Sequence, residues 1–214
     1  MGKYSVLMSL YKKEHPEYLR LALDSMINQT VKPDEIVLVE DGPLTDELYA
    51  VVEEYKPHLH IVINKTNLGL GLALNEGLKA CRNELVARMD TDDISKPDRC
   101  EKQLKRFEEK PELAIVGSHI DEFVGDPSNV ISQRRVPTSS EAIYEYAKKR
   151  SAFNHPAVMY RKSAVLADGG YSNLKRNQDV DLFGRMLYAG HKAENIDEAS
   201  RAHLLLCSQV PNRP

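Results

Sequence analysis

The sequence predicts an α/β fold, a mostly parallel central sheet flanked by helices, on three observations. Short apolar runs of the buried-strand kind alternate with one-sidedly apolar helical stretches three times before residue 90. The loops between them are short, as right-handed βαβ units require. Two of the strands, residues 35–39 and 85–89, stop abruptly in carboxylates, and the carboxyl ends of strands are where open α/β sheets collect ligands.

In chain order, Tyr4–Leu10 is a buried-type strand. Pro16 stands where a helix can begin, and Leu19, Ala22, Leu23, Met26 and Ile27 keep one apolar face through residues 16–30. The strand over 35–39 runs into Glu40, Asp41, Gly42 and Pro43; a helix over 45–56 and a strand over 58–63 repeat the pattern. Residues 64–71 lead into a helix over 72–81, and after the strand at 85–89 come a helix over 96–109 and a strand over 113–117. From His119 the texture changes. Strands over 119–123 and 130–136 flank a hairpin-like turn, followed by an amphipathic helix over 139–150 and a strand over 156–161. A short helix over 162–168 closes on Gly169 and Gly170, and a helix over 178–189 ends at Gly190. No repeat, low-complexity tract or linker divides the chain.

The 214 residues leave ample room for one core. A formal charge of −3 excludes general nucleic-acid binding, which needs a basic footprint. Basic clusters at 134–135, 148–150, 161–162 and 175–176 make the second half locally more basic; they read as solvated faces, or as contacts with an anionic acceptor or a membrane surface. Cys81, Cys100 and Cys207 are odd in number and far apart, so neither a disulfide framework nor a zinc cluster is expected. No run approaches the ~18 apolar residues of a membrane span, and the start lacks the apolar region of a signal peptide. A cytosolic protein is the expectation.

Asp90, Asp92 and Asp93 follow the apolar run at 85–89 at once. Carboxylates this close repel unless something neutralises them, and a divalent cation with oxygen ligands does so most directly. The alternative is a solvated acidic turn capping the next helix. Asp41, at another strand end, would stand beside them along one sheet edge. There it can accept hydrogen bonds from a nucleotide while the second set holds a cation on its phosphates. Asn67, Gly69 and Gly71 precede a helix whose N–H groups could face an anion, but they match neither the Walker A nor the dinucleotide pattern and equally suit a plain turn.

An ordered set of motifs carries a family resemblance. It comprises Ser-Val-Leu-Met-Ser-Leu-Tyr at 5–11, Glu-Asp-Gly at 40–42, Asn-Leu-Gly-Leu-Gly-Leu-Ala-Leu-Asn at 67–75, Ala-Arg-Met-Asp-Thr-Asp-Asp at 87–93 and Lys-Pro-Asp-Arg at 96–99. It continues with Asn-His-Pro-Ala-Val-Met-Tyr-Arg-Lys-Ser at 154–163, Gly-Gly-Tyr at 169–171 and Gln-Asp-Val-Asp-Leu at 178–182. The set resembles the family-two inverting nucleotide-sugar glycosyltransferases of bacterial polysaccharide synthesis, over residues 4–197. The resemblance implies the GT-A fold, a Rossmann-like single domain with a nucleotide-sugar-binding half over 1–117, a smaller acceptor-binding half over 118–200 and an irregular tail over 201–214. It implies metal-dependent transfer, with Mn²⁺ or Mg²⁺, from a nucleotide-diphosphate sugar, most often a UDP-sugar, to a hydroxyl of a glycan or lipid-linked acceptor. Such enzymes act in the cytoplasm or peripherally at the inner membrane face.

Carried over by position, Asp41 corresponds to the acid that bonds the nucleotide base, with Ser9 and Tyr11 lining the same pocket and Asn67 nearby. Asp90-Thr91-Asp92 matches the DXD motif: Asp90 faces ribose or a metal-bound water, Asp92 ligates the metal, and Asp93 can share the role. Arg88 and Asn75 are further donor contacts. Asp179 matches the general base, which an acceptor hydroxyl needs before it can displace a diphosphate in line with inversion; its other reading is charge stabilisation at a helix N-terminus, which Asp181 could equally supply. His155, Gly170, Tyr171 and Gln178 fall on the acceptor side. Three departures stand out. Gln178 replaces the usual Glu, Pro43 the usual Ser, and Arg201-Ala202-His203 resembles an Arg-x-His element on a shorter approach, making His203 a further metal candidate. Two other functions fit parts of the chain. In a phosphotransfer enzyme Asp90 would be the nucleophile, which leaves Asp41 and Asp179 unexplained. In a non-catalytic nucleotide-sugar-binding or scaffold protein, Gln178 and the short C-terminus are accounted for.

Overall fold

A computed structural model describes residues 2–125 and 129–204, residues 201–204 by their backbone alone. Strands β1 (Tyr4–Leu10), β2 (Glu35–Asp41), β3 (Leu59–Asn64) and β4 (Leu85–Arg88) alternate with helices α1 (Pro16–Ile27), α2 (Asp46–Tyr55) and α3 (Leu70–Ala80). A short β5 (Asp93–Ser95) and α4 (Arg99–Glu109) lead to β6 (Leu113–Phe123) and β7 (Val130–Arg134). Then come α5 (Ser140–Ala147), β8 (Met159–Arg161), α6 (Lys162–Ala167), α7 (Gln178–Tyr188) and β9 (Lys192–Leu204).

One sheet runs in the order β3-β2-β1-β4-β8-β6-β9-β5, with β7 hydrogen-bonded to β6. The first four strands are mutually parallel; β8 is antiparallel to both β4 and β6, and β9 runs parallel to β6. Because side chains alternate along a strand, β1 feeds two cores. Leu7 joins Val39, Leu74, Tyr160 and Phe183 on the α3 and α7 face, while Val6, Met8 and Leu10 join Leu19, Leu23, Leu48 and Leu104 on the α1, α2 and α4 face. Both faces are covered, which is why the central strands read as unbroken apolar runs.

The predicted α/β class holds, and apart from the short β5 the main differences lie in the second half. The stretches 113–117 and 119–123 are one strand, β6. Gly117 is no breaker there: a Cβ at that position would collide with the Asn195 amide, whose Nδ2 donates to the Pro137 and Ala152 carbonyls at 2.6 and 3.0 Å. Pro156 belongs to a 3₁₀ turn over His155–Ala157, so the strand predicted over 156–161 begins only at Met159. Residues 201–204, expected as irregular tail, continue β9, and β5 pairs with them, Asp93 opposite His203. Residues 205–214, with Cys207, lie outside the described residues. Among the described residues no helix is long and apolar enough to cross a membrane.

Candidate active site

The carboxyl ends of β1, β2 and β4 open into a cleft of about 380 Å³. Ser9 and Tyr11 line it from β1, Asp41 and Asn67 from β2 and the loop before α3, and Asp90 to Asp92 from the end of β4. The turn after β2 explains Gly42: its φ is +87°, and a Cβ there would stand 2.7 Å from the Asn67 backbone nitrogen. That close approach lets the Asn67 amide donate to the Asp41 carbonyl at 3.1 Å. The Asp41 carboxylate is itself tied to the loop: Oδ1 accepts from the Leu68 N–H at 2.8 Å and Asn64 Nδ2 at 3.1 Å, and Oδ2 from the Gly69 N–H at 3.0 Å.

Asp90, Asp92 and Asp93 present one carboxylate oxygen each, all within 4.8 Å of one another. Asp90 and Asp92 are half-buried and Asp93, in β5, is buried. Hard divalent cations take oxygen ligands at roughly 2.0–2.6 Å, so this donor set fits one. A further acid, Glu14, lines the cleft from the loop after β1. Burial, then the charges of Asp92 and Asp90, push its carboxyl up to about 7, against the opposing pull of Arg88 and a hydrogen bond with Thr91. Beyond burial, the neighbouring Asp92 and Asp90 charges thus disfavour a further carboxylate here, a repulsion that a bound cation would relieve. His203 is brought beside the motif by its backbone pairing with Asp93; its side chain lies outside the described residues.

Arg88 is wholly enclosed and ion-paired with Asp90. Burial works against its charge, but Asp90 and the Tyr171 and Tyr160 hydroxyls outweigh that and its proton is held more firmly than usual. Arg99, of the Lys-Pro-Asp-Arg motif, is equally enclosed: Nη2 donates to the Arg88 and Val158 carbonyls at 2.7 and 3.1 Å, and Nε to Gln103 Oε1 at 3.2 Å. Gln103 in turn donates to Val116 and Ala157 carbonyls, both at 2.9 Å. The end of β4 is therefore held by two enclosed arginines, Arg88 on Asp90 and Arg99 on the Arg88 carbonyl.

A second cleft, of about 350 Å³, lies on the other side of Asp90. Asp90 lines both. Asp179, on the first turn of α7, faces the second cleft with His155, Asn154, Asn177, Glu122 and Arg134. Asn177, just before α7, is the one non-glycine residue at positive φ among the described residues, at 59°. Asp181 is spoken for: its Oδ2 accepts from Arg185 Nε and Nη2 at 3.1 and 2.9 Å. Asp179 makes no hydrogen bond or ion pair with a described residue, which separates the two acids. His155 Nε2 is 2.9 Å from the Tyr171 hydroxyl, and burial, with the Arg88 charge next, brings its pKa down to about 3, so the ring is neutral.

Several residues expected at ligands are engaged within the fold. Arg88 has no exposed surface and reaches the clefts only through Asp90. Asn75 spends both ends of its amide on Tyr171, Nδ2 donating to the carbonyl at 2.7 Å and Oδ1 accepting from the N–H at 2.8 Å. Gly170 has φ +70°, and a Cβ there would stand 2.7 Å from Asn75 Oδ1, so its missing side chain makes room for that amide rather than for a sugar. Tyr171 is buried. Gln178 is also buried, with its stem packed over Gly71. Glu14, Glu122 and Asn177 line the clefts without having been expected there, and Arg134, of the basic pair at 134–135, lines the second. For Glu14 the available signal was an acid in the loop after a strand that ends at the same sheet edge.

A parallel nucleotide-type half with an acidic cleft, joined through a shared aspartate to a smaller mixed half, defines the class of GT-A glycosyltransferases. Staphylococcus aureus TarS 1-349 in complex with UDP superposes with a TM-score of 0.75 at 22% identity, over 95% of this chain and 60% of that one. The mannosyltransferase PcManGT from Pyrobaculum calidifontis, in complex with GDP-Man and Mn²⁺, gives 0.72 at 17% identity, over 99% and 58%. At these identities the likeness shows the fold, and the chain spans about three fifths of those structures. The Glycosyl transferase family 2 profile matches residues 5–167. The chain belongs to glycosyltransferase family 2. It is 42% identical to the amylovoran biosynthesis glycosyltransferase AmsE of Erwinia amylovora, over 91% of this chain and 73% of that one. It is 38% identical to the UDP-Gal:alpha-D-GlcNAc-diphosphoundecaprenol beta-1,3-galactosyltransferase of Escherichia coli, over 92% and 72%.

Proposed function

We propose that the chain is a metal-dependent, inverting glycosyltransferase moving a sugar from a UDP-linked donor to a hydroxyl of a lipid-linked saccharide. The observation that carries the reading is the double placement of Asp90, the wall common to a nucleotide-sized cleft and to the cleft holding the uncommitted Asp179. The nucleotide lies against Ser9, Tyr11, Asp41 and Asn67, its diphosphate toward Asp90 and Asp92, and the sugar passes Asp90 into the second cleft. There Asp179 takes the proton of the acceptor hydroxyl as that oxygen attacks the anomeric carbon from the side opposite the diphosphate. Mn²⁺ or Mg²⁺ on Asp90, Asp92 and Asp93 would stabilise the charge left on the departing group. The lipid-linked acceptor is supported by the name of the E. coli relative, and implies peripheral association with the cytoplasmic face of a membrane.

The test is UDP release from a panel of UDP-sugars on a glycosyl diphosphate carrying a short alkyl chain, with Mn²⁺, with Mg²⁺ and with EDTA, and the product's anomeric configuration read by NMR. Metal-dependent release coupled to an inverted linkage is expected. UDP binding without turnover on any acceptor would return the chain to a binding protein, and a stable aspartyl-phosphate would overturn the transferase.

A further inference from the structure

The second cleft contains a cation that the transfer chemistry does not use. Arg134, at the end of β7, lines it together with Asp179, Asn177 and His155. Its guanidinium makes no ion pair or hydrogen bond with any described residue, whereas Arg20, Arg82, Arg88, Arg106, Arg161 and Arg185 all have such partners. Alternation along β7 puts Ser132 and Arg134 on one face, opposite Glu122 and Ile120 of β6, and both of these line the cleft as well. The Glu122 carboxylate is engaged by the Ser132 hydroxyl and forms no ion pair with Arg134. Three carboxylates, Asp90, Glu122 and Asp179, share the cleft with Arg134, and none of them forms an ion pair with it.

A cleft dominated by acids suits sugar hydroxyls and repels anions, except at a guanidinium. The planar fork of arginine matches phosphate oxygens two at a time. At about 350 Å³ the cleft is at the small end of ligand pockets, so it takes a sugar ring and its immediate substituent, not an extended glycan. We infer that Arg134 forms an anion subsite for a phosphate attached to the acceptor sugar, and that it selects phosphate-bearing acceptors over neutral ones. The inference rests on the transferase reading above and goes beyond it by assigning the recognition group and the charge it reads. An anionic lipid headgroup beside the cleft offers the same chemistry, and the experiment separates the two sources.

Acceptor kinetics are measured for the full chain and for Arg134→Ala, Arg134→Lys and the neighbouring Arg135→Ala, on a short-chain alkyl glycosyl diphosphate and on the neutral octyl glycoside of the same sugar. Each is run alone, with phosphatidylglycerol vesicles and with phosphatidylcholine vesicles. A charge-assisted contact is worth roughly a 10- to 100-fold change. Arg134→Ala should therefore raise KM for the diphosphate acceptor by that factor, with kcat, donor KM and octyl-glycoside kinetics unmoved. Arg134→Lys should fall between, and Arg135→Ala should match the parent chain. An equal effect on both acceptors, or none, overturns the inference. So does an effect on both that appears only with phosphatidylglycerol, which would assign Arg134 to the lipid surface. If the parent chain turns over neither acceptor, the transferase reading is what fails; calorimetric binding of the two compounds with UDP and Mn²⁺ saturating then decides for Arg134, and equal affinities overturn it.

Discussion

The two clefts meet at Asp90 and differ in how their polar groups are held. On the donor side the decisive acids are committed before any ligand arrives, Asp41 to the Leu68 and Gly69 N–H groups and Asn64, Asp90 to the enclosed Arg88. In the second cleft the Asp179 carboxylate and the Arg134 guanidinium make no hydrogen bond or ion pair with a described residue. Groups that orient a diphosphate gain from being fixed in advance, since no reorganisation is then needed during reaction. A base must instead keep a lone pair free for the proton, and an anion subsite must keep its donors free for the anion. Under the proposed reaction, the buried wiring of one cleft and the bare side chains of the other correspond to two kinds of task.

The largest effect that tests this contrast is Asp179→Asn. Loss of a general base should lower kcat by roughly 10²–10⁴, with UDP affinity kept. The same substitution should leave the unfolding free energy from urea titration within about 0.5 kcal/mol of the parent, because Asp179 makes no hydrogen bond or ion pair with a described residue and Asp181 keeps an acid in the first turn of α7; a large loss of stability would erase the contrast. Asp90→Asn should behave in the opposite way. It strands the enclosed Arg88 charge, and urea unfolding should show a loss of roughly 2–3 kcal/mol, at the lower end of such effects because Asp90 is partly open to water.

A third test uses pH. Burial, and then the Arg88 charge, hold His155 neutral in the fold down to about 3, whereas an unfolded imidazole takes its proton near 6.5. The folded pKa is the lower one, so the contribution is intact above about pH 6.5 and is lost as pH falls below it, by roughly 2 kcal/mol at pH 5. His155→Gln should remove that part of the difference between unfolding curves at pH 7 and pH 5, and an unchanged difference would mean that the ring is not held neutral. The smallest effect belongs to Asn177. Alanine there should cost about 1 kcal/mol, because its Cβ disfavours the left-handed backbone, while Asn177→Gly should be close to neutral.

Legibility in the sequence follows the same division. The parallel half could be read because β1, β2 and β4 are covered on both faces and show as apolar runs, with Asp41 and Asp90 to Asp93 marking their ends. The mixed half was harder. β9 is rich in charged residues along Lys192–Leu204 and β5 is three residues long, so neither has a periodic signal, and spacing, which divides β6 at residue 118, could not show Asn195 packed beside Gly117. In the site, a run of acids was conspicuous, but spacing could not show that Asn75 and Gly170 fit each other, or that Arg88 points inward. Glu14 and Arg134 reach their clefts only through tertiary packing.

The pairing of β5 with β9 sets an order of events during synthesis. Strands β1 to β4 are all in hand by residue 88, so the parallel half can collapse while the rest is still being made. Asp93 reaches its final setting only when positions 201–203 close against β5, a contact across more than half the chain, and such distant closures are entropically costly and slow. Compactness therefore comes early, and the three-carboxylate cluster of Asp90, Asp92 and Asp93 takes its final setting late, once β9 has docked on β5.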